Sequence, residues 1–338
     1  MSEVLRSTFA PTARDCFCGE NRARLHFRTA RFGLVSCPSC GCYRIDPPPI
    51  QGEEEAGEFY SAYYEGLERD AAAAKSESPT AKHAARHAAE GAPGASAVIG
   101  ANGVNAANGA AQRTSRYWRV VNEVPSLREP GESAADIGCG EGTLCAELRA
   151  AGWRRVIGVD ASRARVARAR RRHPDITFHD SPLEEVDIPA GSLDLIVLDN
   201  VIEHLVDPLD AVRRLRALLA AGGRLVLITP NMESGHFRLL GRRWTPELAP
   251  HTHIFLFTHA AMRRMLAAAG YVVETQGDFH LPLYTAREWV RRVAGGDVKG
   301  ALWRAMQEAG GVYGRLVGAG PMLYAVARPA AAGAGAAR

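Results

Sequence analysis

From about residue 117 onward, short apolar runs alternate with longer amphipathic stretches, and the alternation predicts the elements. Tyr117-Trp118-Arg119-Val120-Val121 reads as a helix leading into an apolar strand that ends at Ile137. A helix over 143–151, a strand over 156–159, a helix over 162–172 and a strand over 176–178 follow. The pattern continues with a strand over 193–198, a helix over 208–219 stopped by Gly222-Gly223, and a strand over 225–229. Later come a helix over 259–269, Gly270, a strand over 271–275 and a last strand near 323–327. Strands separated by amphipathic helices pair in parallel, so the expected fold is α/β with a doubly wound, mostly parallel sheet.

The rest of the chain breaks this rhythm. Residues 1–50 form a cysteine-bearing module, and 51–70 contain Glu58-Phe59-Tyr60-Ser61-Ala62-Tyr63-Tyr64, a short aromatic connecting helix. Residues 71–112 are rich in Ala, Gly, Asn, Ser and Pro, too poor in apolar surface to order themselves, and read as a flexible low-complexity linker. The main domain then spans 113–328, and the Ala- and Gly-rich stretch 329–338 is expected to be a disordered tail.

The first strand runs into Asp136-Ile137-Gly138-Cys139-Gly140-Glu141-Gly142-Thr143. Glycines at alternate positions let a ligand lie on main-chain N–H groups at the start of the next helix. A dinucleotide fingerprint would place its third glycine one residue later, and the carboxylate of Asp136 repels a pyrophosphate. That acid suits a ligand with a cationic amine. A second acid, Asp160, ends the strand Arg155-Val156-Ile157-Gly158-Val159 and stands where an acid accepts ribose hydroxyls.

These residues resemble the class I S-adenosylmethionine-dependent methyltransferases. The resemblance implies a seven-stranded sheet closed by an antiparallel pair of late strands. It also implies S-adenosyl-L-methionine as cofactor, with Asp136, Gly138, Cys139 and Gly140 at its methionyl end and Asp160 at the ribose. Asp180 and Ser181, after the third strand, would lie near the adenine, although Ser181-Pro182-Leu183-Glu184-Glu185 is slightly longer than the family pattern. Asn200, in Asp199-Asn200-Val201-Ile202-Glu203-His204, would face the methyl group. Residues 232–257 and 281–317 are insertions where the family builds substrate pockets. The aromatic helix over 58–64 reads equally as a cofactor lid and as plain packing.

Of the seven cysteines, five lie between Cys16 and Cys42. In a reducing compartment this argues for metal rather than disulfides. Cys37-Pro38-Ser39-Cys40-Gly41 is a zinc-knuckle turn, and joined through a β-hairpin to Cys16-Phe17-Cys18-Gly19 it makes a structural zinc site from Cys16, Cys18, Cys37 and Cys40. The first knuckle is one residue short, so Cys42 and His26 stand as substitute ligands. Cys139 and Cys145 read as packing residues.

Methyl transfer needs a base only if the acceptor must lose a proton. The candidates are His204, in the Glu-His turn, and His251 and His253, in an insertion resembling that of small-molecule methyltransferases. The two insertion histidines, at i and i+2, lack a carboxylate at ligand spacing to complete a metal site. The expected activity is therefore methyl transfer to an O, N or C atom of a small-molecule acceptor of sugar, lipid-linked or secondary-metabolite type. Two alternatives stand beside it: an RNA methyltransferase whose zinc module assists substrate binding, and a non-catalytic zinc-containing interaction protein. A net charge of only +4, with the basic excess over 163–172, does not point to nucleic acid as partner. Without an apolar run of membrane-spanning length or a signal-type hydrophobic stretch, the expected location is cytoplasmic.

Overall fold

The computed structural model describes residues 16–29, 32–49, 114–244, 248–281 and 298–331. The aromatic helix over 58–64, the linker over 71–112 and nearly all of the tail lie outside the described residues.

The amino-terminal module is a small antiparallel sheet of β1 (Arg24–Arg28), β2 (Gly33–Ser36) and β3 (Tyr43–Asp46). The hairpin β1–β2 joins the two cysteine turns, as the spacing predicts. The sheet is completed from far along the chain by β9 (Phe255–Leu256), which pairs Tyr43 with Leu256 and Arg44 with Phe255. Beneath this junction Leu34, Ile45, Met232, Trp244, Leu248 and Leu256 pack into one apolar cluster. The module and the 232–257 insertion thus share a core.

The main sheet is built from β4 (Ser133–Ile137), β5 (Arg155–Val159), β6 (Thr177–His179), β7 (Leu193–Asp199), β8 (Leu219–Pro230), β10 (Tyr271–Phe279) and β11 (Met322–Pro329). Its strand order is β10-β11-β8-β7-β4-β5-β6. Strands β4 to β8 are parallel, and β11 runs antiparallel to both β8 and β10. This is the seven-stranded sheet closed by a late antiparallel pair. Alternate strand residues fall into two apolar clusters, Ala135, Ile157, Ile196 and Leu225 in one, Ala134, Val156, Leu195 and Val226 in the other. A strand of period two buried on both faces gives that division, and each fully buried Leu, Ile or Val contributes roughly 1.5–3 kcal/mol.

Between the strands lie α1 (Tyr117–Glu123), α2 (Thr143–Ala150), α3 (Arg163–Arg172), α4 (Pro208–Leu218), α5 (Gly235–Leu240), α6 (His259–Ala268) and α7 (Val298–Val317). Helix α4 starts where Asp207 accepts a hydrogen bond from the Asp210 N–H and Pro208 supplies a fixed φ, and Thr258 caps α6 in the same way through Ala261. One boundary differs from expectation. Gly222 and Gly223 do not stop α4, which ends at Leu218; they lie inside β8. There the β7–β8 register jumps from Leu193↔Leu219 to Leu195↔Arg224, and a Cβ on Gly223 would stand 2.6 Å from the Leu193 carbonyl oxygen. The glycine permits a bulge pressed against the neighbouring backbone. Among the described residues no helix is long and apolar enough to cross a membrane.

Candidate active site and cysteine cluster

Strand order reverses at β4, whose successor β5 lies on one side and β7 on the other, so the carboxyl ends of β4 and β7 open a crevice where such sheets bind ligands. The glycine loop fills that edge. Gly138 has φ +78° and Gly140 φ +56°, the left-handed region. At Gly138 a Cβ would also run into Val201 Cγ2, whereas at Gly140 it would meet only the movable tip of Arg165, so there the left-handed φ makes the demand. The N–H groups of Gly138 and Cys139 both donate to the Val159 carbonyl, at 2.7 and 3.0 Å, tying the loop to β5.

Asp160 locks this arrangement. Its Oδ2 accepts from the Gly140 N–H at 2.8 Å, its Oδ1 accepts from the Ser162 N–H at 2.9 Å, and Arg165 stands 3.7 Å from Oδ2. Each carboxylate oxygen keeps a further lone pair.

Asp136 is buried, and the Cys145 thiol donates toward its Oδ2 at 3.7 Å. Burial first, then the nearby carboxylates of Asp199 and Asp160, push its pKa up to about 8. Arg116 donates to Asp199 at 2.6 Å across the mouth of the site. Three acids gathered at one strand edge repel a phosphate and favour a cation. Cys139 and Cys145 are buried beside the loop, in the apolar cluster on that face.

Asn200 follows β7 with φ +57°, a conformation asparagine tolerates, and its buried Oδ1 accepts no hydrogen bond among the described residues. Ser162 Oγ is likewise buried without a partner. Two orphaned acceptors beside a glycine cradle and an acidic edge match the needs of an amino acid–nucleoside with a sulfonium centre. Asp180 also lies at the carboxyl edge but is engaged by Arg170 at 2.9 Å, which holds its carboxyl below the usual range. Ser181 is half-buried in the bend that follows.

The fold brings two of the three histidines together and leaves His251 apart. His251 is exposed on its turn, whereas His253 is buried, with its ring centroid 4.7 Å from that of His204. His204 Nδ1 lies 3.0 Å from the Thr252 carbonyl oxygen, and desolvation of this half-buried ring holds the imidazole down at about 4, neutral at physiological pH. Fully buried Glu203 completes the group: Oε2 accepts from Thr229 at 2.9 Å, and Oε1 faces His253 Nε2 at 4.0 Å. The expectation that no carboxylate accompanies these histidines is thereby corrected. The carboxylate comes from the turn after β7, which β9 and Ile254 approach through the Ile254 N–H to Glu203 carbonyl bond. Its one sequence signal is the Glu203-His204 dipeptide itself. Arg116 and Ser162 gave none.

The cysteines behave as spaced. Cys16 Sγ is 3.4 Å from Cys40 Sγ, Cys18 Sγ is 3.6 Å from Cys37 Sγ, and all four sulfurs lie within 4.8 Å of one another. Sulfurs about 2.3 Å from one tetrahedral ion stand roughly 3.8 Å apart. The Cys40 N–H points at Cys37 Sγ, 3.4 Å away. Cys42 lies outside the cluster, its Sγ directed to the Leu256 carbonyl at 3.4 Å, and His26 bonds Ser36 Oγ at 2.8 Å. Neither joins the four-sulfur cluster.

A family model described as a methyltransferase domain matches residues 110–276. A probable S-adenosylmethionine-dependent methyltransferase of Mycolicibacterium smegmatis is 36% identical over 169 residues, 48% of this chain and 63% of that protein. A probable S-adenosylmethionine-dependent methyltransferase of Mycobacterium tuberculosis is 32% identical over 198 residues, 57% of this chain and 69% of the relative. A ubiquinone biosynthesis O-methyltransferase of Bradyrhizobium diazoefficiens is 30% identical over 190 residues, 53% and 72% respectively. The chain belongs to the S-adenosylmethionine-dependent methyltransferases. It spans just under two thirds of the Mycolicibacterium relative's length.

The buried acid of the loop carries a testable consequence. A carboxyl raised from 3.8 to about 8 opposes folding in its ionised form, a cost absent below pH 4 and fully present above pH 8. Asp136→Asn is expected to stabilise the ligand-free protein near pH 8 by on the order of a few kcal/mol, seen as a higher melting temperature, with the gain shrinking toward zero as pH falls to 4. The same variant should bind S-adenosylmethionine more weakly. Thermal scans across pH with parallel titration calorimetry check both, and a variant less stable than the parent at pH 8 contradicts the assignment.

Proposed function

We propose that this chain transfers the methyl group of S-adenosylmethionine to a small-molecule acceptor. The observation that carries the reading is the convergence of Asp136, Asp160, Asp199 and the orphaned Asn200 Oδ1 at the carboxyl edge of β4 and β7. When bound, the cofactor supplies a methyl group activated by a sulfonium.

The chain's own residues then do the rest. The Gly138–Gly140 backbone and Asp136 receive the amino-acid end, and Asp160 offers its remaining lone pairs to the ribose. Asp180 and Ser181 flank the base. Asn200 Oδ1 finds its donor in the ligand. Displacement at a sulfonium dissipates charge, so positioning and exclusion of water supply most of the barrier reduction. Where the acceptor must lose a proton in the absence of a metal, this reading assigns the base to His253 or His204, backed by Glu203. Exposed His251 is a rim residue in this arrangement. The 232–257 insertion, anchored under the cysteine module by Trp244 and Leu256, roofs that side.

The cysteine cluster is proposed to hold one structural zinc through Cys16, Cys18, Cys37 and Cys40. A closed all-thiolate site leaves no coordination position for substrate. We read the acceptor as a small molecule rather than RNA because the arginines of the site are committed to acids, Arg116 to Asp199 and Arg170 to Asp180. The small-molecule extract and the total RNA of the source cell, each incubated with the protein and S-adenosylmethionine labelled in its methyl group, test this. Label is expected in the small-molecule fraction. Incorporation into RNA alone, or no calorimetric binding of the cofactor, overturns the reading.

A further inference from the structure

Glu203, His204 and His253 do more than line the acceptor side. We propose that they form a divalent-cation site, distinct from the cysteine cluster, built of one carboxylate and two imidazoles. Their ligand atoms all lie within 4.8 Å of one another. This donor set, carboxylate oxygen with two imidazole nitrogens, suits iron(II), zinc and similar divalent ions while leaving coordination positions open.

Three observations separate a cation site from a simple hydrogen-bonded cluster. Glu203 is fully buried, and while Oε2 is held by Thr229, Oε1 accepts no hydrogen bond among the described residues. A buried carboxylate oxygen without a donor is costly, so a positive partner is called for. Second, Oε1 stands 4.0 Å from His253 Nε2. A direct hydrogen bond would close that gap to about 2.8 Å, whereas ligand atoms about 2.1 Å from a shared ion stand roughly 3 to 4 Å apart. Pairs that all lie within 4.8 Å need to close by no more than about 1 to 2 Å, within the reach of side-chain rotation. Third, the Thr252 carbonyl beside His204 Nδ1 places the ring proton on that nitrogen and leaves Nε2 with its lone pair, the outer-shell arrangement of metal-binding histidines. Partial exposure of His204 gives the ion a route in.

The site's role rests on the methyl-transfer reading. An open coordination position at the acceptor edge suits a hydroxyl, whose acidity a cation raises. With the ion bound, the imidazoles serve as its ligands rather than as bases, so the hydroxyl proton would pass to water. The sulfur–methyl bond would break as the oxygen–methyl bond forms, and the products would be a methyl ether and the neutral thioether of the cofactor. The cation thus points to a hydroxyl-bearing acceptor class.

Manganese(II) is the appropriate probe, because it prefers oxygen and imidazole donors to the thiolates of the cysteine cluster. With the full-length, zinc-replete protein, calorimetry and electron paramagnetic resonance are expected to show about one bound manganese per chain. Electron spin echo modulation should reveal coupling to imidazole nitrogen. Glu203→Gln and His253→Gln should each weaken manganese binding at least tenfold. Absence of nitrogen coupling in the unaltered protein, or undiminished binding in either variant, overturns the site. S-adenosylmethionine titrated into the unaltered protein is a separate measurement: cofactor binding without manganese binding sinks the cation site alone, and manganese binding without cofactor binding sinks the methyl-transfer reading alone.

Discussion

Replacing Asp160 with alanine should weaken S-adenosylmethionine binding by about two orders of magnitude or more. Two losses combine. The carboxylate accepts charge-assisted hydrogen bonds from the Gly140 and Ser162 N–H groups, and these hold the loop in its left-handed conformation before any ligand arrives. Removal leaves two buried donors unpaired, at about 1–3 kcal/mol each, and lets Arg165 settle over Gly140 without its acid. The ribose contacts disappear as well, and hydrogen bonds to a charged group contribute roughly 1.5–3 kcal/mol. Asp160→Asn separates the two. It keeps one oxygen for a backbone N–H but points an NH2 group at the other, so it should fall between the parent and the alanine variant. Calorimetric titration of the three proteins decides the matter, and equal affinities would mean that the acid serves neither the loop nor the ribose.

If the cysteine cluster holds the proposed zinc, withdrawing that ion should unfold the amino-terminal module. The module's three strands run over only 24–46, too short a stretch to build a sufficient apolar core of its own. Much of what it buries is sulfur: Cys16, Cys37, Cys40 and Cys42, with Leu34, Val35 and Ile45. A structural zinc contributes roughly 10–16 kcal/mol of apparent binding energy, comparable with the whole stability of a domain. The two residue pairs between β3 and β9 cannot replace it. A strong chelator, or Cys37→Ser, should therefore expose 16–49 to proteolysis and uncover the apolar cluster around Trp244 and Leu256. Cys42→Ser should retain the metal, since that thiol faces the Leu256 carbonyl. Metal analysis near zero in protein whose module resists protease would remove the zinc assignment.

Much of this architecture was legible in the residues. Apolar strands such as Ala134–Ile137 and Leu195–Leu198 announce themselves because both faces are buried, and helices α2 to α4 because their apolar positions recur every three or four residues. The glycine loop was legible for a similar reason: left-handed φ values and a missing Cβ are local requirements that only glycine satisfies. Gly222 and Gly223 misled, because the same freedom that ends helices also permits a bulge against Leu193.

What the sequence alone determined is whatever a few consecutive residues can specify: the order of strands and helices, the acid–glycine loop, and a four-cysteine cluster set by two short turns. The tertiary structure decided which distant side chains meet. It closed the module's sheet with β9, turned Cys42 away from the sulfur cluster, set Arg116 against Asp199, and divided His251 from His253 by burying only the latter. Above all it brought Glu203 to His253. Local patterns follow from backbone sterics and side-chain periodicity, which act within a turn or a strand. Such meetings depend on sheet register and on the path of the 232–257 segment, and no short stretch of the chain encodes either.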